Sequence, residues 1–385
     1  MKPGLLVITE LFLPTKGGTA VWFDEVYRRL GGKEIHIVTA QVPGAEEHDL
    51  GHPNTVHRLN LRRHWWLKPE SLAMYSKLLL ASLWIAWRFP IAAVHAGRVL
   101  PEGLVGLWVA RLFQKPLVIY AHGEEIATWR QPAKFKAMVF TYRHADWVIA
   151  NSRFTQDELC KLGVPQARIV RISPGVDVER FRPGLPTADL CERLGLSPNT
   201  PLILSVGRLT RRKGFDQVIR ALPQVIEAVP EVHYAIVGIG EDESYLNQLA
   251  IETGVTERVH LLGQVPMEEL PRWYNACTVF AMPNREIDGD NEGFGMVFLE
   301  AAACGKPSLA GIAGGTGDAV QEGITGLRVN GESVAQIASA LVSLLKAPGE
   351  LGQNARAVVC REHAWAKVVE KIGALSQSFS RSSAF

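Results

Sequence analysis

Two carboxylates, Glu292 and Glu300, stand in the stretch Asn291-Glu292-Gly293-Phe294-Gly295-Met296-Val297-Phe298-Leu299-Glu300, a glycine-containing loop running into a helix that stops at Gly305-Lys306-Pro307. The first amides of such a helix lack intrahelical acceptors and sit at the positive end of its dipole. Phe294, Gly295, Met296 and Val297 therefore offer a seat for a phosphate. Glu292 lies just before the helix, and Glu300 lies about 9 Å along it from the first turn at ~1.5 Å per residue. Carboxylates accept hydrogen bonds from vicinal hydroxyls, so two acids at this spacing can hold both ends of one ligand with a diphosphate between them. The plain alternative is a solvated helix bearing two unrelated acids, and the glycine loop weighs against it.

A second group precedes it. Val206-Gly207-Arg208-Leu209-Thr210-Arg211-Arg212-Lys213-Gly214-Phe215-Asp216 follows an apolar run and opens a helical pattern. Cations are thereby delivered to the carboxyl end of a strand, where open α/β sheets bind their ligands. Arg208 and Lys213 suit a diphosphate and the charge that grows on it as a leaving group, whereas Arg211 and Arg212 read as a solvated basic turn. Gly238-Ile239-Gly240 lacks a full dinucleotide fingerprint and reads as a supporting turn. Gly17-Gly18 either makes a tight turn or lets a ligand approach the backbone. His122, between an apolar strand and Gly123-Glu124-Glu125, is either a ligand-facing group or a core histidine bonded to a carbonyl. Asp288-Gly289-Asp290 has the D-x-D form of a metal–diphosphate site, yet two acids ahead of a helix also complement its dipole.

These residues need strands and helices to hold them. Short β-rich runs at Leu5–Thr9, Ile35–Thr39, Leu117–Ala121, Trp147–Ala150 and Ile169–Ile172, then Leu202–Val206, Tyr234–Val237 and Val279–Met282, alternate with helix-period segments. That alternation predicts parallel sheets wrapped by helices. Phe215, Val218, Ile219, Leu222, Val225, Ile226 and Val229 keep the spacing of one helical face, as do Val334, Ile337, Ala338, Leu341 and Leu345. Prolines and glycines from Phe181 to Pro201 mark a linker. The expected plan is a domain over 1–180, a linker over 181–200, a second domain over 201–360 and a terminal helix over 361–385, with Ser376 onward frayed.

At 385 residues and 47% hydrophobic composition, the chain is long enough for two α/β cores. Residues 1–180 hold 23 Lys and Arg against 16 Asp and Glu, and the remainder holds 18 against 23, so a basic front half precedes an acidic rear. Five scattered cysteines without CxxC or CxxH spacing indicate neither a zinc knuckle nor a disulfide framework, which points to a reducing, cytoplasmic setting. The opening MKPGLLVITELFLP contains Glu10 and reads as a buried strand rather than a signal, and Leu78–Trp87 is about half the length that spans a bilayer. The run Arg62-Arg63-His64-Trp65-Trp66-Leu67-Lys68, with Trp84, Trp87 and Arg88, is either a membrane-surface face or a domain edge whose tryptophans, with Leu80, enter the core.

Strand–Gly207-Arg208-Leu209-x3-Lys213-Gly214 followed by Glu292-Gly293-Phe294-Gly295-x4-Glu300 resembles the retaining family 4 glycosyltransferases of the GT-B fold. Gly17-Gly18, His122-Gly123, Asn151-Ser152, Ser173-Pro174-Gly175-Val176-Asp177 and Val237-Gly238-Ile239-Gly240 extend the similarity over almost the whole chain. The resemblance implies two Rossmann-like domains facing across a cleft, with a C-terminal helix crossing back to the first. It implies that Arg208 and Lys213 contact the donor diphosphate, Glu292 the transferred sugar, backbone at Phe294 to Val297 the phosphates and sugar, and Glu300 the ribose. It further implies that the loop at Gly17 and Gly18 closes over the reaction centre, that His122 lies near the sugar, that Gly207, Gly238 and Gly240 support the nucleotide, and that Gly263 and Val265 seat the base edge. A metal-independent enzyme without a separate cofactor is expected.

The loop Met282 to Asp290 is similar to that of bacterial phosphatidylinositol mannosyltransferases, which tilts the donor toward GDP-mannose over a UDP-hexose. The expected activity is retaining transfer of a hexosyl group to a lipid-linked or glycan acceptor in cell-envelope or exopolysaccharide synthesis. Nucleic acid is not an expected partner, and peripheral contact of the first domain with the inner face of the plasma membrane is one of the two readings of the aromatic-basic run. A UDP-hexose-dependent transferase acting on a small soluble acceptor and a non-catalytic sugar-nucleotide-binding protein are the alternatives. A dehydrogenase would need G-x-G-x-x-G near the start, which Lys16-Gly17-Gly18-Thr19 does not supply.

Overall fold

The computed structural model of the protein describes residues 4–62 and 71–382, so Arg63 to Lys68 of the aromatic-basic run lie outside the described residues. The chain forms two compact units, Met1–Pro174 with Trp365–Phe385, and Gly175–Ala364. The first is built on a seven-stranded parallel sheet: β1 (Gly4–Ile8), β2 (Ile35–Ala40), β3 (Thr55–Leu59), β4 (Ile91–Ala96), β5 (Leu117–Ala121), β6 (Trp147–Ala150) and β7 (Ile169–Arg171). Their order across the sheet is β3-β2-β1-β4-β5-β6-β7. The second unit has a six-stranded parallel sheet of β8 (Leu202–Val206), β9 (His233–Val237), β10 (Val259–Gly263), β11 (Val279–Met282), β12 (Ser308–Gly311) and β13 (Gly326–Val329), ordered β10-β9-β8-β11-β12-β13.

Both orders reverse direction beside the first strand of the unit, and α/β sheets of this kind bind ligands outside the carboxyl ends of the strands at that switch. The switch lies between β1 and β4 in one unit and between β8 and β11 in the other. Helices cover both faces, so central strands such as β1, β5 and β8 are buried at every residue and read as continuous apolar runs. Helix Phe215–Ala228 buries Phe215, Val218, Ile219, Leu222 and Val225 and packs on helix Val334–Lys346. The strands β3, β4, β10, β12 and β13 escape the sequence pattern. β12 and β13 are four-residue pieces, SLAG and GLRV, and β3 and β10 are half-buried edge strands.

The Pro/Gly-rich stretch 181–200 belongs to the second unit instead of hanging between two. Phe181, Leu190 and Cys191 are buried, and helix Ala188–Arg193 packs on helix Leu270–Ala276. The chain passes between units after Pro174 and again after Ala364. Helix Trp365–Ser382 then lies on helix Gly18–Leu30 and on β4, burying Trp365, Val368 and Ile372, and it runs on past Ser376, where the sequence suggested fraying.

Helix Leu72–Arg88 overturns the reading of its tryptophans as core. It buries Met74, Leu78, Ser82 and Ile85, whereas Leu80, Trp84 and Trp87 are 66%, 52% and 76% exposed. Among the described residues no helix is long and apolar enough to cross a membrane.

Candidate active site

At the carboxyl ends of β8, β9 and β10 three glycine turns stack. The Gly207 N–H donates to Val237 O at 2.9 Å and the Gly238 N–H to Gly263 O at 2.8 Å. A Cβ on Gly238 would fall 1.8 Å from Gly207 O, so glycine is required there for backbone to meet backbone. The amides of Gly207 and Gly238 are thus spent within the sheet. Gly207, Gly238, Gly240 and Gly263 shape the floor of the site, and Val265 packs half-buried against the unit's core.

Arg208 follows that floor on an exposed turn and has no ion pair among the described residues. Lys213 ends the short turn Arg211–Lys213, after which Gly214 opens helix Phe215–Ala228. The Lys213 Nζ is ion-paired with Glu292 Oε2, and both side chains are nearly buried. Arg212 is not a solvated cation: its Nη1 donates to the same Oε2 at 2.8 Å and its Nε lies 3.0 Å from Asp290 Oδ2. Burial alone would push Glu292 up, but the charges of Lys213 and Arg212 outweigh it and hold the carboxyl below its ordinary range. Arg211 instead lies over the Tyr245 ring at 3.3 Å and meets Asp242 at 3.1 Å.

Gly295 caps helix Met296–Ala303, and Phe298 N–H donates back to Gly295 O at 3.0 Å. Among the described residues the amides of Gly295, Met296 and Val297 have no backbone acceptor, which leaves three donors at the positive end of the helix. Phe294 is buried with its ring against His363. Glu300 accepts from Tyr274 OH at 2.6 Å. Burial pushes its carboxyl up to about 7 against the opposing hydrogen bond from Tyr274 and the charge of Arg180.

The loop after β11 is pinned at three points. Asn284 Nδ2 donates to Ala313 O at 2.8 Å, and its Oδ1 accepts from Gly311 N–H at 3.0 Å. Arg285 grips Asp216 through two bonds of 3.0 and 2.9 Å, both side chains buried. Ile287 and Asp290 exchange backbone bonds of 3.1 and 2.8 Å around Asp288 and Gly289, which take φ of 51° and 83°. Two positive φ values at the centre of a two-residue hairpin are the type I′ requirement, and Asp-Gly meets it. The D-x-D pattern is therefore a turn that presents Asp290 to Arg212.

His122, Gly17 and Gly18 belong to the first unit. His122 Nε2 donates to Gly97 O at 2.8 Å, which is the carbonyl-bonded alternative, and this tautomer makes Nδ1 the acceptor atom. Trp22 and Phe23 meet the ring edge-on, and Glu125 Oε1 accepts from the His122 backbone N–H at 3.0 Å. Burial lowers the ring's pKa in spite of Glu125. Gly17 takes φ 133° with open space where a side chain would stand, and Gly18 begins its helix. Asp24, His48 and His52 bring three ligand atoms within 4.8 Å, but His52 Nδ1 accepts from Asn54 N–H at 3.2 Å and its Nε2 then donates to Asp24 at 3.1 Å. His52 and Asp24 are thereby paired by a proton, and the cluster is read as structural.

Sequence reasoning missed Arg212, Tyr274 and the Asp216–Arg285 pair. Their partners lie 80, 26 and 69 residues away, and no local pattern signals them.

Residues 16–180 match the family model described as Glycosyltransferase Family 4, and residues 189–358 match Glycosyl transferases group 1. A GDP-mannose-dependent alpha-(1-6)-phosphatidylinositol monomannoside mannosyltransferase of Mycolicibacterium smegmatis is 34% identical over 351 residues, covering 89% of this chain and 90% of the relative. The GDP-mannose-dependent monoacylated alpha-(1-6)-phosphatidylinositol monomannoside mannosyltransferase of Corynebacterium glutamicum is 33% identical over 75% of this chain and 77% of its own. Among solved structures, Anabaena Alr3699/HepE in complex with UDP superposes with TM-score 0.82 at 20% identity, over 97% of this chain and 100% of that one. The phosphate-ready helix, the cations beside it and the two acids thus stand in a chain that belongs to the family 4 glycosyltransferases and is a GT-B enzyme acting on a nucleotide sugar.

Proposed function

We propose that this enzyme transfers mannose, with retention, from GDP-mannose to a hydroxyl of a lipid-linked acceptor. The observation that carries the reading is the set formed by Lys213, Glu292, the three open amides at Gly295 to Val297, and Glu300 in one unit. The names of the relatives supply the donor and the acceptor class. Arg208 and Lys213 neutralise the diphosphate, the amides hold its oxygens, Glu292 accepts from sugar hydroxyls and Glu300 from the ribose. The bond from the anomeric carbon to the phosphate oxygen breaks as the acceptor oxygen bonds to that carbon on the same face. The acceptor proton passes to the departing phosphate, so no pair of carboxylates has to serve as acid and base. Lys213 leaves Glu292 for the diphosphate when the donor binds. Acceptor recognition is assigned to the first unit, in which His122 Nδ1 offers one hydrogen-bond acceptor.

The test is nucleotide release and label transfer from radiolabelled GDP-mannose and UDP-glucose to a phosphoinositide, beside melting-temperature shifts with GDP, UDP, ADP and dTDP. Transfer from GDP-mannose with the largest shift in GDP supports the assignment. Turnover of UDP-glucose alone reassigns the donor, and nucleotide binding without turnover of either donor removes the activity.

Peripheral membrane contact is favoured by a separate observation. Leu80, Trp84 and Trp87 on helix Leu72–Arg88 join Trp108 and Leu112 on the neighbouring helix Leu104–Phe113 as exposed apolar side chains, with exposed Arg88 and Arg111 beside them. Tryptophan with flanking cations suits the interface of an anionic bilayer. Cosedimentation with phosphatidylglycerol vesicles that falls in Trp84→Ser/Trp87→Ser supports it, and equal pelleting of that variant removes it.

A further inference from the structure

We propose that Arg212 is a positioning residue that holds the Glu292 carboxylate in place for the transferred sugar after Lys213 has moved to the diphosphate, with Asp290 as its anchor. The inference rests on the donor reading above. In the free enzyme Arg212 and Lys213 both meet one oxygen of Glu292, Oε2. When Lys213 turns to the phosphates, a carboxylate with only 13% of its side chain exposed would lose its partner, and an unpaired buried charge is costly. Arg212 is the second cation already in contact.

The geometry suits a fixed clamp and not a mobile partner. A guanidinium can bond two carboxylates through different nitrogens, and Arg212 does so, through Nη1 to Glu292 and Nε to Asp290. Its own backbone carbonyl accepts from Arg285 N–H at 2.8 Å, and Arg285 is locked to Asp216. The type I′ turn at Asp288 and Gly289 sets Asp290 opposite it. Arg212 of the basic turn and the Asp-Gly-Asp loop, neither of which has been given a donor contact, thus become one device.

Its test separates sugar from nucleotide. Arg212→Met, Arg212→Lys and Asp290→Asn are compared with wild type for binding of GDP and of the intact donor that wild type turns over, and for kcat. Glu292 serves the sugar, so Arg212→Met should keep GDP affinity within about twofold while weakening donor binding and kcat at least about tenfold. Arg212→Lys should recover part of that loss, and Asp290→Asn should show a smaller loss of the same kind. Wild-type kcat in Arg212→Met overturns the inference. So does an equal loss of GDP and donor affinity, which is the mark of a merely structural role. Lys213→Ala and Glu292→Gln serve as controls. If both turn over normally the donor reading falls and takes this one with it; if both fail while Arg212→Met is normal, only the clamp is lost.

Discussion

The buried carboxyl of Glu300 titrates near neutrality, raised to about 7 by burial. Only its ionised form accepts from two ribose hydroxyls at once, so hydroxyl binding favours deprotonation. GDP affinity should therefore rise as pH increases through 7 and level off above it, weakening by up to about tenfold per pH unit below, and Glu300→Gln should abolish the dependence. Calorimetry from pH 6 to 8 checks this, and a flat profile in wild type contradicts the ribose role. Arg208→Ala removes an exposed cation with no ion pair among the described residues, so turnover should drop by about a hundredfold or more with little change in melting temperature. Arg208, Lys213, Glu292 and Glu300 were legible because loop and helix signals flank them. Arg212 was not: its neighbours in sequence are other cations, and its meaning comes from Asp290 and Glu292 across the fold.

Helix Phe215–Ala228 and the loop after β11 are held together by the bidentate Asp216–Arg285 pair, with side chains 5% and 8% exposed. Removing Asp216 takes both of these bonds from the buried Arg285 and leaves it the exposed Glu332, 3.3 Å from its Nε. Asp216→Ala should cost about 3 kcal/mol or more of the second unit's stability in urea unfolding, and Asp216→Ala/Arg285→Met should cost less than the single change. A double mutant no better than the single would show that the pair is not the main link. Elements were readable where periodicity was long, as in this helix, or where a strand was buried on both faces. They were hidden where a strand was short, because SLAG and GLRV carry no pattern of their own and are strands only through their neighbours. The segment 181–200 misled for a related reason: prolines break regular structure without preventing burial, and Phe181 and Leu190 are core.

In each unit burial holds particular imidazoles below their ordinary pKa. His95 in β4 is fully buried with Nδ1 2.8 Å from Tyr27 OH and, among the described residues, no partner for Nε2, and burial lowers it to about 4. Burial likewise brings His57 to about 4 beside His36, and His233 to about 4 beside His260, in corresponding edge pairs of the two sheets. A histidine depressed in the folded state contributes stability that is fully present above its unfolded value of 6.5 and is lost as pH falls toward 4. Glu102 and Glu300, raised by burial to about 7, act in the opposite sense: their contribution is present below 4.5 and lost as pH rises through 7. For His95 the shift corresponds to about 2 kcal/mol between pH 6.5 and 5. His95→Phe removes both the titration and the unpaired nitrogen, so the gap between pH 7 and pH 5 melting temperatures should narrow in the first unit only. The second unit, where the contributions of His233 and Glu300 oppose one another, does not contain His95 and should keep its own response. Melting followed separately by nucleotide protection of the second unit tests this, and an unchanged acid slope in His95→Phe would locate the sensitivity elsewhere.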